Sequence, residues 1–152
     1  MKQSAGILLY RFREKKIEFF LVHPGGPFWK NKDHGSWSIP KGEFMDEDPL
    51  AAAQREFLEE TGFAVAGDFL FVGETRLKSG KTIMAWAVEG DLDPAQLHSN
   101  AFEMEWPPRS GKMQSFPEVD KGNWFSIDDA REKLNPAQII FLDRCMALFP
   151  RP

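Results

Sequence analysis

Arg55-Glu56-Phe57-Leu58-Glu59-Glu60-Thr61-Gly62-Phe63 is the stretch on which the reading of this chain turns. At about 100° per residue, carboxylates at i, i+3 and i+4 fall within one narrow arc of a helix. Like charges so placed repel, each close pair costing roughly 0.2–0.5 kcal/mol on an exposed helix. A sequence that keeps Glu56, Glu59 and Glu60 together therefore calls for a cation. Three carboxylates suit a hard, oxygen-preferring metal. The alternative reading of the triad alone is a solvated acidic helix face.

The helix that carries the triad has readable ends. Asp48 suits the N-cap, Pro49 the first helical position and Gly62 the position after Thr61, which predicts a helix over Pro49–Thr61. Helical projection puts Leu50, Ala51, Phe57 and Leu58 on one arc. It sets the carboxylates on the other side, beside Ala52 and Ala53. The helix is thus expected to dock through the first arc and present its acids on the second.

Upstream, Ala5–Arg11 and Ile17–His23 read as two strands joined by a turn at Arg13–Lys16. His23-Pro24-Gly25-Gly26-Pro27 breaks the pattern and predicts a long loop from Pro24 to Gly35. Trp37–Ile39 reads as a short strand ending at Pro40. Downstream, Phe69–Arg76 and Thr82–Glu89 predict a strand pair turning at Ser79-Gly80-Lys81. Phe102–Trp106 and Asn123–Ser126 are shorter strand candidates, with Pro107–Pro117 as a loop. Ile127–Leu134 and Pro136–Phe149 read as closing helices. Strands and helices mixed in this order predict an α/β protein with a mixed sheet packed between helices.

Composition sets the frame. The 152 residues fit a single domain spanning 1–152, which at this size buries roughly 70% of its unfolded surface. A net charge of −4 argues against nucleic acid as the main partner, since phosphate-tracking domains carry a basic excess. A small phosphorylated ligand needs only a few local Lys or Arg. Cys145 is the one cysteine, which excludes an intrachain disulfide and a cysteine-based zinc site. Its expected place is as a small apolar residue of the last helix. The N-terminal apolar stretch is too short for a signal sequence or a membrane span, so a cytoplasmic protein with no membrane partner is expected.

Between Pro40-Lys41-Gly42-Glu43 and the acidic run stands Glu47. The span Gly42–Phe63 resembles the box of the Nudix hydrolases, G-x5-E-x7-R-E-U-x-E-E-x-G-U, with U a bulky aliphatic. Here it reads G-x4-E-x7-R-E-F-L-E-E-T-G-F. The helical half matches position for position, with aromatic Phe57 and Phe63 in place of aliphatics. The loop half is one residue short. Counting from Gly42 would put Asp48 at the first acidic position and shorten the helical spacing. Glu47 is preferred, because a loop tolerates a deletion and a helical register does not. The lead-in Trp37-Ser38-Ile39-Pro40-Lys41-Gly42 and the closing Trp124-Phe125 are similar to this family too, so the resemblance covers most of the chain.

The resemblance implies a Nudix-type α/β/α sandwich and metal-dependent hydrolysis of a pyrophosphate bond. It implies Mg²⁺ or Mn²⁺ as the cofactor, with Glu56, Glu59 and Glu60 as ligands. Arg55 in this family holds an acidic partner in place, and Glu47 is the candidate. Glu118, six residues before Trp124, is placed similarly to the extra glutamate of some dinucleoside tetraphosphate hydrolases and is the choice for catalytic base. An ordinary loop carboxylate is the competing reading of Glu118. Glu103 and Glu105 are its rivals.

Phosphate contacts are less legible. Lys41 ranks first among the basic residues because it adjoins the box at Gly42. Arg109 and Lys112 follow, since a glycine-containing loop can close over phosphates. Arg76, Lys78 and Lys81 are weaker candidates. Trp29, Trp37, Trp106 and Phe116 are the aromatics available to stack a base, against a core role for most of them in a chain with 13% aromatics. His23, His34 and His98 show no metal-ligand spacing and receive no role.

The expected activity is cleavage of a nucleoside diphosphate linked to another group, leaning to a dinucleoside polyphosphate. Nucleoside triphosphates, ADP-ribose and other nucleotide sugars follow closely. A non-catalytic nucleotide-binding module of the same fold is the rival from another class. A non-nucleotide diphosphate such as an inositol pyrophosphate would need a denser basic patch.

Overall fold

Strand alternation builds the centre of the molecule. In Gln3–Arg13 (β1), Ala5, Ile7 and Leu9 face one side and Leu8 and Tyr10 the other, and all are buried. A strand apolar on both faces belongs at the middle of a covered sheet. A computed structural model describes residues 2–149. Lys16–Pro24 (β2) pairs antiparallel with β1 through a turn at Glu14 and Lys15, both at positive φ.

Lys41–Phe44 (β3) pairs antiparallel with the first residues of β1. Leu70–Arg76 (β4) pairs antiparallel with Thr82–Glu89 (β5), and β5 runs parallel to β1. Val119–Ser126 (β8) closes the other edge against β2, giving the order β4-β5-β1-β2-β8 with β3 beside β1. Ala101–Glu105 (β6) and Met113–Pro117 (β7) form a separate two-stranded hairpin.

One departure from regular pairing creates the site. β1 holds β2 only from Leu9 to Arg13, and holds β3 from Gln3 to Gly6. The far end of β2 bridges Ser38 through Val22 instead. The two central strands splay, and the chain from Ser38 to Phe44 fills the gap. That wedge brings Gly42 in front of the acidic helix.

Pro49–Thr61 (α1) covers one face of the sheet, where Phe57, Ala52 and Ala53 meet Ile7, Phe20 and Trp124. Ile127–Lys133 (α2) and Ile139–Met146 (α3) cover the other, where Phe141 and Leu142 meet Leu8, Phe19 and Phe125. The result is the α/β/α sandwich with a mixed sheet. Cys145 lies fully buried in this second core, and burial pushes its thiol up to about 12. Among the described residues no helix is long and apolar enough to cross a membrane.

Four sequence expectations need correction. α1 docks through Ala52, Ala53 and Phe57, with Glu56 buried at the edge of that face; Ala51 and Leu58 are exposed. The two small alanines let the helix approach the sheet closely; of the expected arc, Phe57 is buried and Leu50 packs against the same core, so the docking face is rotated toward Ala52 and Ala53. Pro107–Pro117 is not all loop, because β7 pairs Phe116 with Phe102. Trp37–Ile39 makes only isolated bridges, and the regular strand lies after Pro40. The last helix starts at Ile139, after a 3₁₀ turn at Pro136–Gln138 capped by Asn135.

Candidate active site

α1 sets the register of the site. The Asp48 side chain accepts from the Ala51 N–H at 3.0 Å, and Gly62 (φ 81°) returns its N–H to the Leu58 carbonyl. Between these caps, Arg55 gathers three carboxylates. Its Nη2 lies 2.6 Å from Glu47 Oε1, and its Nη1 lies 2.9 Å from Glu56 Oε1 and 3.0 Å from Glu59 Oε2. The Glu47 hydrogen bond is the largest cause that raises the Arg55 pKa above its ordinary value. The shortened loop reaches Arg55 with Asp46 at a positive φ of 54°, and Asp48 is occupied as the cap.

Glu60 points toward β3. Its Oε1 accepts from the Lys41 N–H at 3.3 Å, and desolvation pushes its pKa up to about 8, although the residue as a whole is only partly covered. Glu56 is raised for the same first reason, against the pull of Arg55. Gly42 stands directly over Glu56: a Cβ there would collide with the carboxylate. A glycine is what lets β3 lie this close to the helix.

Glu118 completes the acidic group from β8's side. It is exposed at the rim of the cleft, and desolvation followed by the charge of Glu59 raises its pKa. Its backbone is clamped between neighbours: its N–H donates to the Asn100 carbonyl at 2.9 Å, and its carbonyl accepts from the Gly25 N–H at 2.9 Å. Asn100 in turn donates its N–H to the Glu59 carbonyl at 2.8 Å. One backbone relay thus links the end of α1 to Glu118 and to the loop after β2.

These groups line a cleft of about 460 Å³ with Glu56, Glu60 and Gly42 at its floor, Glu118 at its rim, and Trp29 and Phe102 on its walls. Lys41 is close enough for its charge to oppose the rise at both Glu60 and Glu118. Arg109 and Lys112 lie at the exposed tip of the β6–β7 hairpin, outside the cleft lining. There the Arg109 and Gly111 N–H groups donate to the carboxylate of Glu105, at 2.9 and 3.2 Å. Lys81 is paired with Glu43. Trp37 is buried, so it belongs to the core; Trp106 packs edge-on against Phe28, and Phe116 lies tilted against Phe102.

The acidic set fits a hard divalent ion by its chemistry. Carboxylates this desolvated keep their charge only beside a cation, and Gly42 leaves the space above them clear of side chain. Among the described residues no three acidic, histidine or cysteine side chains are gathered closely enough to hold an ion as they stand, and Arg55 pairs with both Glu56 and Glu59. Glu56, Glu59 and Glu60 are the residues that would hold such an ion.

Sequence reasoning missed two contributors. Phe102 was read only as the start of a strand, and its pairing with β7 is what turns it toward the cleft. His23 was given no role, yet it is buried and bonded at both ring nitrogens. The available signal was a histidine closing an apolar strand just before a Pro-Gly-Gly break.

A splayed mixed sheet facing a carboxylate helix defines an α/β/α protein with an acidic cleft. The comparisons name it: the NUDIX domain model matches residues 1–145, and the chain belongs to that family. It is a Nudix hydrolase. Ap4A hydrolase of C. elegans, in a binary complex, is similar at TM-score 0.63 and 23% identity, covering 97% of each chain. The NUDIX domain of Shewanella oneidensis NrtR, complexed with ADP ribose, is similar at TM-score 0.63 and 14% identity, covering 96% of this chain and 86% of that one. A mutT/nudix family protein from Listeria innocua matches at TM-score 0.63 and 16% identity, covering 97% and 92%. No curated relative matches the sequence.

Proposed function

We propose that this chain hydrolyses a pyrophosphate bond in a nucleoside diphosphate linked to another group, with dinucleoside polyphosphates as the leading class. Glu56, Glu59 and Glu60 hold Mg²⁺ or Mn²⁺. Bound there, such an ion neutralises phosphate charge and activates water for attack. The carrying observation is the pairing, within one cleft, of a desolvated carboxylate floor with the aromatic walls Trp29 and Phe102. Such a cleft takes an ion and phosphates at one end and a flat ring at the other.

The chain's own residues then divide the work. Arg55 orients Glu47, Glu56 and Glu59. Lys41 supplies positive charge beside the floor, and the Gly42 backbone leaves room for a phosphate, with Arg109 and Lys112 available from the hairpin tip for the outer phosphates. Water adds to a phosphorus, the bridging P–O bond breaks, and the displaced phosphate leaves with the electron pair. The proton lost by the water passes to Glu118, whose raised pKa makes it a better acceptor near neutral pH than an ordinary carboxylate. The ADP-ribose complex of the NrtR domain supports ADP-ribose as the second substrate reading.

A product assay with Mg²⁺ tests the proposal against dinucleoside polyphosphates, nucleoside triphosphates, ADP-ribose and a nucleotide sugar, with Glu59→Gln alongside. Turnover of one class, lost in the variant, is the expected result. Nucleotide binding without turnover of any member would overturn it in favour of a binding module.

A further inference from the structure

We propose that His23, through its contacts with Lys32 and Asp120, is a positioning residue that joins two walls of the cleft drawn from distant segments. The inference rests on the hydrolase reading above and deepens it. The chain between β2 and β3 is long, and its first part has no regular structure to hold it. Loops of this kind keep one conformation only when their ends are tied.

His23 supplies the tie. It is 1% exposed, and its Nε2 lies 2.6 Å from the Lys32 carbonyl. A carbonyl only accepts, so Nε2 carries the proton and donates. This bond closes the segment 23–32 into a ring whose tip bears Phe28 and Trp29. Lys32 is also held by its own N–H, which donates to the Trp29 carbonyl at 2.9 Å. On its other side, His23 Nδ1 lies 2.8 Å from Asp120 Oδ1. Asp120 is two residues beyond Glu118, on the strand whose start also receives the Gly25 N–H. One buried ring therefore contacts both the loop that presents Trp29 and the strand that presents Glu118. Trp37 packs edge-on against the imidazole at 5.3 Å and seals it from water.

The contact is also tight along the backbone. A side chain at Gly25 would collide with the Pro117 carbonyl, and one at Gly26 would press on Phe102. The loop thus lies closely against Pro117 and Phe102 in the conformation that His23 closes. The His23–Asp120 pair reaches no part of the carboxylate floor, so its effect on the reaction passes through Trp29 and Glu118.

Two readouts test this on the whole chain with His23→Ala, His23→Gln and Asp120→Ala. The first is steady-state kinetics on the substrate found by the panel. His23→Ala is expected to raise KM by about tenfold or more and to lower kcat less, the signature of a displaced binding wall. His23→Gln keeps a donor for the Lys32 carbonyl and is expected to recover part of the loss. Asp120→Ala, at an exposed position that leaves the core intact, serves if His23→Ala fails to fold, and is expected to raise KM in the same direction.

The second readout is amide hydrogen exchange. Exchange in residues 24–32 and at Glu118 is expected to quicken by about tenfold while α1 keeps its protection. A lower Tm with unchanged KM, and with exchange quickened evenly through the molecule, would overturn the inference and leave His23 a core residue. If wild type turns over no substrate at all, the hydrolase reading fails, and the exchange pattern still decides the role of His23.

Discussion

α1 and the cleft's aromatic walls are made by opposite kinds of structural logic. The helix is local: its caps, its register and the row Glu56, Glu59 and Glu60 all lie within Asp48–Gly62, and Arg55 pairs with Glu56 and Glu59 from the same helix. The walls are distant. Trp29 comes from the loop after β2, Phe102 from a hairpin, and Glu118 from the bend just before β8; they meet through single backbone hydrogen bonds and the buried imidazole of His23. The difference teaches that, under the proposed function, the ion-holding groups come from one short run and the substrate-facing walls from segments far apart.

The sharpest way to break that division is at the helix. Glu59→Gln, or removal of divalent metal by a chelator, is expected to abolish turnover in the product assay while nucleotide binding through the aromatic walls survives in part. Glu118→Gln is expected to lower kcat by about 10²–10⁴-fold with little change in KM, since it removes the proton acceptor. A comparable rise in KM alone would reassign Glu118 to binding. Arg55→Lys keeps the charge and loses the fork that reaches Glu47, Glu56 and Glu59 together. It is expected to cost about 10–100-fold in activity or metal affinity, read by metal titration.

On the wall, Trp29→Ala is expected to remove a stacking contact of about 1–3 kcal/mol. That appears as a raised KM with kcat nearly intact. A fall in kcat as large as that of Glu118→Gln would show the two regions to be one.

The smallest effect is on stability, and its sign follows from Glu60. In the unfolded chain this carboxyl titrates in the ordinary range, and in the folded protein desolvation lifts it to about 8. The folded state therefore binds the proton more tightly. Its contribution is complete below the unfolded value and is lost as pH rises through about 8. Glu56 and Glu118, also raised, act in the same sense. Asp33, Glu43 and Asp91 are held low chiefly by hydrogen bonds to Lys133, Lys81 and Arg11, so they lose stability only in acid. In chelator, Tm is expected to fall between pH 5 and pH 8.5. Glu60→Gln should flatten that slope, and added Mg²⁺ should restore Tm most at the alkaline end.

The sequence by itself determined the family, the extent and caps of α1, the two central strands, the β4–β5 pair and the acidic triad. Each of these depends on contacts within a few residues, so spacing alone carries it. Tertiary structure decided which face of α1 is buried. Close approach to the sheet rewards the small Ala52 and Ala53 over the larger Leu58, and only the partner surface shows this. It also decided that part of Pro107–Pro117 is a strand, because a strand exists only where another chain segment, here β6, supplies its hydrogen bonds. The raised pKa values of Glu56, Glu60 and Glu118 and the role of His23 belong to that second group. Desolvation and long-range hydrogen bonding come from whatever the fold lays against a residue, and a linear sequence does not say what that will be.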